Sequence, residues 1–133
     1  MDKEFVPYEE ALELKELGFD EPCMYYVDEQ NNSFIYNFQT HPDEFIEWCS
    51  VTVISTPLYQ QAFRWFRKEH NLRSFVDTRV YDVDSPNQWI YDFQIKMGNG
   101  VDTQPFYSGD FDSYEEAELA CLKKLIQIVK NNE

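Results

Sequence analysis

The residues able to do covalent chemistry are few. The 133-residue chain holds two histidines, His41 and His70, and three cysteines, Cys23, Cys49 and Cys121. Nucleophilic catalysis needs a thiol or hydroxyl with a base in reach, and one of those two histidines would have to supply it. No G-x-S-x-G elbow accompanies either histidine. Cys121 falls inside a predicted helix, not at a helix start where the dipole favours a thiolate. For metal binding, His41 could join Asp43, Glu44, Glu47 or Cys49, and an i, i+3 spacing sets Glu44 and Glu47 on one helical side. No H-E-x-x-H or calcium loop of alternating Asp is present, so these residues read as a solvated acidic turn after Pro42. Gly98-Asn99-Gly100 precedes no helix opening on Lys-Ser/Thr and reads as a turn, not a phosphate cradle. Carboxylates are too abundant for any pair to stand out. The expectation is no catalytic residue, no metal and no cofactor.

Charge narrows the partner class. There are 25 Asp+Glu against 11 Lys+Arg, a formal net charge of −14. Such a chain repels phosphate backbones and anionic membranes. Its one basic cluster, Arg64, Arg67, Lys68 and Arg73, is interleaved with Trp65 and Phe66, a pattern that would suit stacking on single strands. Helical geometry, however, puts the two rings on the opposite side from Arg64 and Arg67, so nucleic acid is not the expected partner. Aromatic residues are 17% of the chain, more than a disordered acidic tail carries. No apolar run of about 18 residues is present, and the opening Met1-Asp2-Lys3-Glu4 lacks a secretion signal, so a cytoplasmic location is expected. The cysteines, 26 and 72 positions apart, form no disulfide framework or zinc knuckle and read as small buried hydrophobes.

Three helices position these residues. Pro7 to Leu17 opens on proline, carries Glu9 and Glu10 in its first turn, and stops at Gly18 as a left-handed cap. A second helix runs from Pro57 to His70, with Ser55 or Thr56 as N-cap and Asn71 as stop. Its apolar arc is Leu58, Tyr59, Ala62, Phe63, Trp65 and Phe66. The third, Tyr114 to Lys130, begins with the capping box Ser113 and Glu116 and buries Leu119, Leu122, Leu125, Ile126 and Val129. Between them lie β-rich runs. Cys23 to Val27 and Phe34 to Phe38 flank an Asn-Asn turn, and Ser74 to Val83 and Trp89 to Met97 flank Asp84 to Asn87. In the last run Trp89, Tyr91, Phe93, Ile95 and Met97 alternate with Asp92, Gln94 and Lys96, the mark of a half-buried strand. Val51 to Ile54 fits a strand or a buried connection, and Thr103 to Tyr107 an edge segment. The expected fold is α+β: a small antiparallel sheet of about four strands with three helices, in the order α-β-β-α-β-β-α, as one domain over residues 1–133.

The helical blocks Val6–Cys23, Tyr59–Arg67 and Tyr114–Ile126 resemble a family of short uncharacterised proteins from phages, prophages and viral metagenomes of gut bacteria. The resemblance spans about 40 residues in three blocks. It implies a phage-linked setting in the host cytoplasm and carries no implied activity.

Two functional expectations follow from different classes. The first is a small acidic, non-enzymatic interaction protein that binds a host or phage protein with a basic surface. Arg64, Arg67, Lys68, Asp82, Asp84 and Asp92 form its candidate interaction surface. Asp77, Asp82, Asp84, Asp92, Asp102, Asp110 and Asp112 are the acids that would serve a DNA-mimicking face, if acidity does more than confer solubility. The alternative is a small-molecule-binding protein or unrecognised enzyme with an aromatic-lined pocket drawn from Tyr25, Tyr26, Tyr36, Tyr81, Trp89 and Tyr91. A homodimer face could also form from Phe45, Trp48 or Phe106 beside an edge strand.

Overall fold

The computed structural model describes residues 4–23, 25–28, 33–35, 53–84, 87–98 and 105–132. The described elements are α1 (Tyr8–Glu16), β1 (Tyr25–Asp28), β2 (Ser33–Ile35), β3 (Val53–Thr56), α2 (Tyr59–His70), β4 (Leu72–Val80), β5 (Trp89–Met97), β6 (Phe106–Tyr107) and α3 (Tyr114–Asn131). This is an α+β protein. Its strands form two antiparallel sheets, ordered β2-β1-β3 and β4-β5-β6. By contacts the chain groups into two compact units, residues 1–62 and 63–133.

The expected single sheet of about four strands is therefore corrected to two sheets of three. β3 pairs with β1 from Tyr25↔Thr56 to Asp28↔Val53, and β6 pairs with β5 through Gln94↔Tyr107 and Ile95↔Phe106. The sequence offers Val51 to Ile54 as a strand or connection and Thr103 to Tyr107 as an edge segment, but strands this short carry too little alternation to show which partner they take. The β1–β2 hairpin is present with Tyr26 opposite Phe34. Its Asn-Asn turn, together with the segment 39–52, lies outside the described residues.

In the first unit, α1 ends as the glycine suggests. Gly18 has φ +104, its N–H donates to the Lys15 carbonyl at 3.0 Å, and the Phe19 N–H donates to the Leu14 carbonyl at 2.9 Å. That pair of reversed bonds is a Schellman ending, and the buried Leu14 and Phe19 supply its apolar pair. The helix opens one residue later than expected, at Tyr8, with Pro7 extended as its N-cap.

The start of α2 differs from the sequence expectation. Ser55 and Thr56 belong to β3, and the helix opens at Tyr59. The Thr56 hydroxyl donates to the Val6 carbonyl, the Val6 N–H donates to the Pro57 carbonyl at 3.0 Å, and Phe5 bridges Leu58. A hydroxyl expected to cap a helix instead ties down the segment leading into α1, fifty residues away. Leu58, outside the helix and 40% exposed, is correspondingly lost from the apolar arc.

In the second unit, β4 and β5 form a ladder from Leu72↔Met97 to Val80↔Trp89. The helix α3 packs against both strands. Ser113 Oγ accepts from the Glu116 N–H at 3.1 Å, the expected cap, and Ala117, Cys121, Leu122, Leu125, Ile126 and Val129 are buried along one face. Alternation places Leu72, Ser74 and Val76 of β4 and Tyr91, Phe93, Ile95 and Met97 of β5 on the helix side. Burial along that side fades with distance from Leu72: Phe93 and Ile95 are buried, Tyr91 is half-buried, and Trp89 is 50% exposed. The geometry explains this. Eighteen helical residues span about 27 Å. Near the helix start, Tyr114 meets Tyr91 edge-on with ring centroids 6.1 Å apart. Trp89 lies two residues further along β5, past that end of α3.

Candidate interaction surface

The six residues singled out from the sequence fall into three places. Arg64, Arg67 and Lys68 are exposed on α2, while Trp65 and Phe66 on its other side are buried. The angular reading of that helix therefore holds, and the two rings do not share a face with the arginines. The buried rings pack on each other at 5.0 Å, and His70 meets Trp65 edge-on at 4.9 Å.

Asp82 and Asp84 sit in the turn between β4 and β5, where the Asp84 N–H donates to Asp82 Oδ1 at 2.7 Å. The Tyr81 N–H donates to the Gln88 carbonyl at 2.8 Å and extends the hairpin one step past the ladder. Both aspartates are exposed. The intervening strand β4 has nine residues and separates this tip from the start of the ladder by about 27 Å along the strand.

Asp92 occupies a third place, midway along β5. Its Oδ2 is 3.6 Å from Arg79 Nε, and Arg79 Nη2 donates to Asp110 Oδ1 at 2.7 Å. Arg79 thus holds two of the acids proposed for a phosphate-like row. No local pattern marks this bridge, because Asp110 lies 31 residues from Arg79.

Among the described residues, four of the eight large apolar side chains that are exposed lie at the hairpin tip. Val80, Tyr81, Val83 and Trp89 are 37%, 59%, 93% and 50% exposed. Tyr81, Val83 and their acidic neighbours alternate along the turn, so an apolar cluster is rimmed by carboxylates. Clusters of exposed aromatic and aliphatic side chains with a polar rim are the surface signature of protein contact.

The aromatic set expected to line a pocket is divided between the two units. Tyr25 and Tyr26 are buried in the first unit, with Phe5 stacked on Tyr25 at 4.0 Å. Tyr81, Trp89 and Tyr91 belong to the second, and Tyr36 lies outside the described residues. A cavity of about 380 Å³ does exist in the second unit, lined by His70, Leu72, Met97, Gly98, Ile128, Val129 and Asn132. Its walls combine Leu72, Met97, Ile128 and Val129 with the polar side chains of His70 and Asn132. Phe106, named for a dimer face, is half-buried beneath the Lys124 ammonium, 4.5 Å from the ring centre. Phe45 and Trp48, together with the metal candidates His41, Asp43, Glu44, Glu47 and Cys49, lie outside the described residues.

Two thiols are chemically quiet. Burial pushes Cys23 up from 9.0 to about 12, with the nearby Glu21 carboxylate adding to the effect and Ser55 and Gln61 opposing it by hydrogen bonding. Burial does the same to Cys121, also to about 12, against a hydrogen bond with Ser74. Both stay protonated near neutral pH and fill space as the sequence reading expects. Burial and then the Glu118 carboxylate raise the Tyr114 hydroxyl as well. Among the described residues no group of three or more His, Cys, Asp or Glu is placed to hold a metal ion.

Comparison with protein-family models, curated proteins and solved structures finds no match to this chain.

Proposed function

We propose that this chain is a non-enzymatic protein-interaction module whose contact surface is the tip of the β4–β5 hairpin. The observation that supports this is the exposure of Val80, Tyr81, Val83 and Trp89 beyond the end of α3, beside Asp82 and Asp84. Tyrosine and tryptophan are the residues on which binding energy concentrates, because they contribute large area with few rotamers to freeze. The matching partner presents an apolar pocket with a basic rim. The net charge of −14 speeds encounter with such a partner and repels DNA and anionic membrane. In the phage-linked, cytoplasmic setting that the three helical blocks suggest, the partner is a host or phage protein.

The test compares capture from host lysate by the natural protein and by Trp89→Ala, at low and high salt. The expected result is a partner retained at low salt, weakened at high salt and lost with the variant. Equal capture by both proteins removes the tip from the reading.

A second reading rests on the cavity beside His70. A volume of about 380 Å³ lined by both apolar and polar side chains suits a small ligand with both kinds of group. Thermal-shift screening of a small-molecule panel, repeated with Met97→Trp to fill the space, tests it. A shift that the filling variant abolishes supports a ligand there, and a flat response across the panel removes it.

A further inference from the structure

Among the described residues, strand β4 is an outer strand of its sheet, with β5 on one side only. Such an edge presents main-chain N–H and C=O groups that another strand can complete. The side chains along this edge indicate which strand. Within the ladder Arg73 lies directly across from Lys96, and Asp77 lies directly across from Asp92. Like charges in opposing ladder positions are unfavourable, and this hairpin contains two such pairs of opposite sign. Arg79 relieves one member, Asp92. Arg73 bonds to the Asn71 side chain at 2.9 Å and Asp77 accepts from the Thr78 N–H at 2.9 Å; among the described residues neither is in an ion pair. Between them on the same face stands Phe75, 45% exposed, with the Lys96 ammonium 6.0 Å from its ring centre.

We propose that β4 pairs antiparallel with β4 of a second copy of this chain, about a two-fold axis passing through Phe75. In that register Arg73 of each copy faces Asp77 of the other, and the two Phe75 rings meet at the axis. Each row across the joined sheets then reads Lys96, Arg73, and the second copy's Asp77 and Asp92. Two cations meet two anions, twice by symmetry, so the charges that conflict within one hairpin are complementary between two. Neighbouring registers do not achieve this. An axis through Val76 sets Arg73 against Arg79, one through Asp77 sets that residue against itself, and one through Ser74 leaves Asp77 facing Asn71. Only registers that keep each residue on its own face are available, because side chains alternate along a strand. The pairing covers Leu72 to Thr78 and leaves the hairpin tip outside it, so the dimer would display two tips.

Sedimentation across a concentration series tests the pairing. The natural protein is expected to dimerise reversibly. Asp77→Arg is expected to weaken the dimer about tenfold or more, since two symmetric attractions become repulsions. The exchange Arg73→Asp with Asp77→Arg restores complementarity and is expected to restore the dimer. Position is read separately: in a Cys49→Ser background, Phe75→Cys is expected to cross-link two chains on oxidation, and Val83→Cys is not. A monomer at every concentration overturns the proposal. So does a dimer indifferent to Asp77→Arg, or one that the exchange fails to rescue. The hairpin tip is intact in all these variants, so their outcome is independent of lysate capture through Trp89.

Discussion

Single residues decide more here by how they are shielded than by what they could react with. Cys23 and Cys121 each have a thiol held near 12 by burial. Treatment of the folded protein with a thiol reagent at pH 8 should leave the peptides containing both residues unmodified, and the same treatment in denaturant should modify both. Peptide mapping by mass spectrometry reads the difference. The sign of the pH effect follows. Below about pH 9 folded and unfolded thiols are alike and add no pH dependence. Between pH 9 and 12 the unfolded chain loses these protons while the folded chain keeps them, so stability falls by about 1.4 kcal/mol per pH unit for each thiol. Cys121→Ala should flatten that alkaline slope, whatever it does to stability at pH 7. Gly18 is a second residue whose chemistry is conformational. Its φ of +104 strains any L side chain, yet an added Cβ would meet nothing within 4 Å. Gly18→Ala should therefore destabilise through backbone strain alone, by roughly 1–2 kcal/mol in denaturant unfolding.

At the scale of elements, legibility followed locality. The third helix was readable because its signals are adjacent: Ser113 caps Glu116 three residues on. Ser113→Ala should cost about 1 kcal/mol, and Ser113→Asp should recover most of it, both seen as shifts in the denaturation midpoint. The second helix misled by two residues because Thr56 looks like a cap and serves instead as a donor to Val6. β3 is legible only as a strand or buried connection at Val51 to Ile54 and β6 only as an edge segment at Thr103 to Tyr107, because their pairing resides in partners across the sheet rather than in their own four and two residues. The candidate surface shows the same division. The alternation from Trp89 to Met97 was plain, and it correctly separates Phe93 and Ile95 from Lys96. What it could not reveal is where the covering helix stops, and that boundary turns Trp89 from a core residue into an exposed one. The bridging role of Arg79 was hidden for the same reason, since its two partners lie on different segments.

For the whole molecule the dominant quantity is charge. With −14 on 133 residues, folding brings carboxylates closer together than they are in the unfolded chain. Screening that repulsion should raise the melting temperature as salt increases from about 0.01 M to 0.15 M, as the Debye length contracts from about 30 Å to 8 Å. A melting temperature that falls with salt would mean that ion pairs such as Arg79 with Asp110 outweigh the general repulsion. The arrangement of the second unit also bears on the order in which the chain is made. The inner face of the β4–β5 hairpin, with Phe93 and Ile95, is closed by α3, which ends at Asn131. On a ribosome adding about 5–20 residues per second, that face emerges seconds before its cover exists. The hairpin thus passes through a period in nascent form with its apolar side open to water. Premature termination between Met97 and Tyr114 would make that period permanent, and such fragments are the natural substrates of chaperones and proteases.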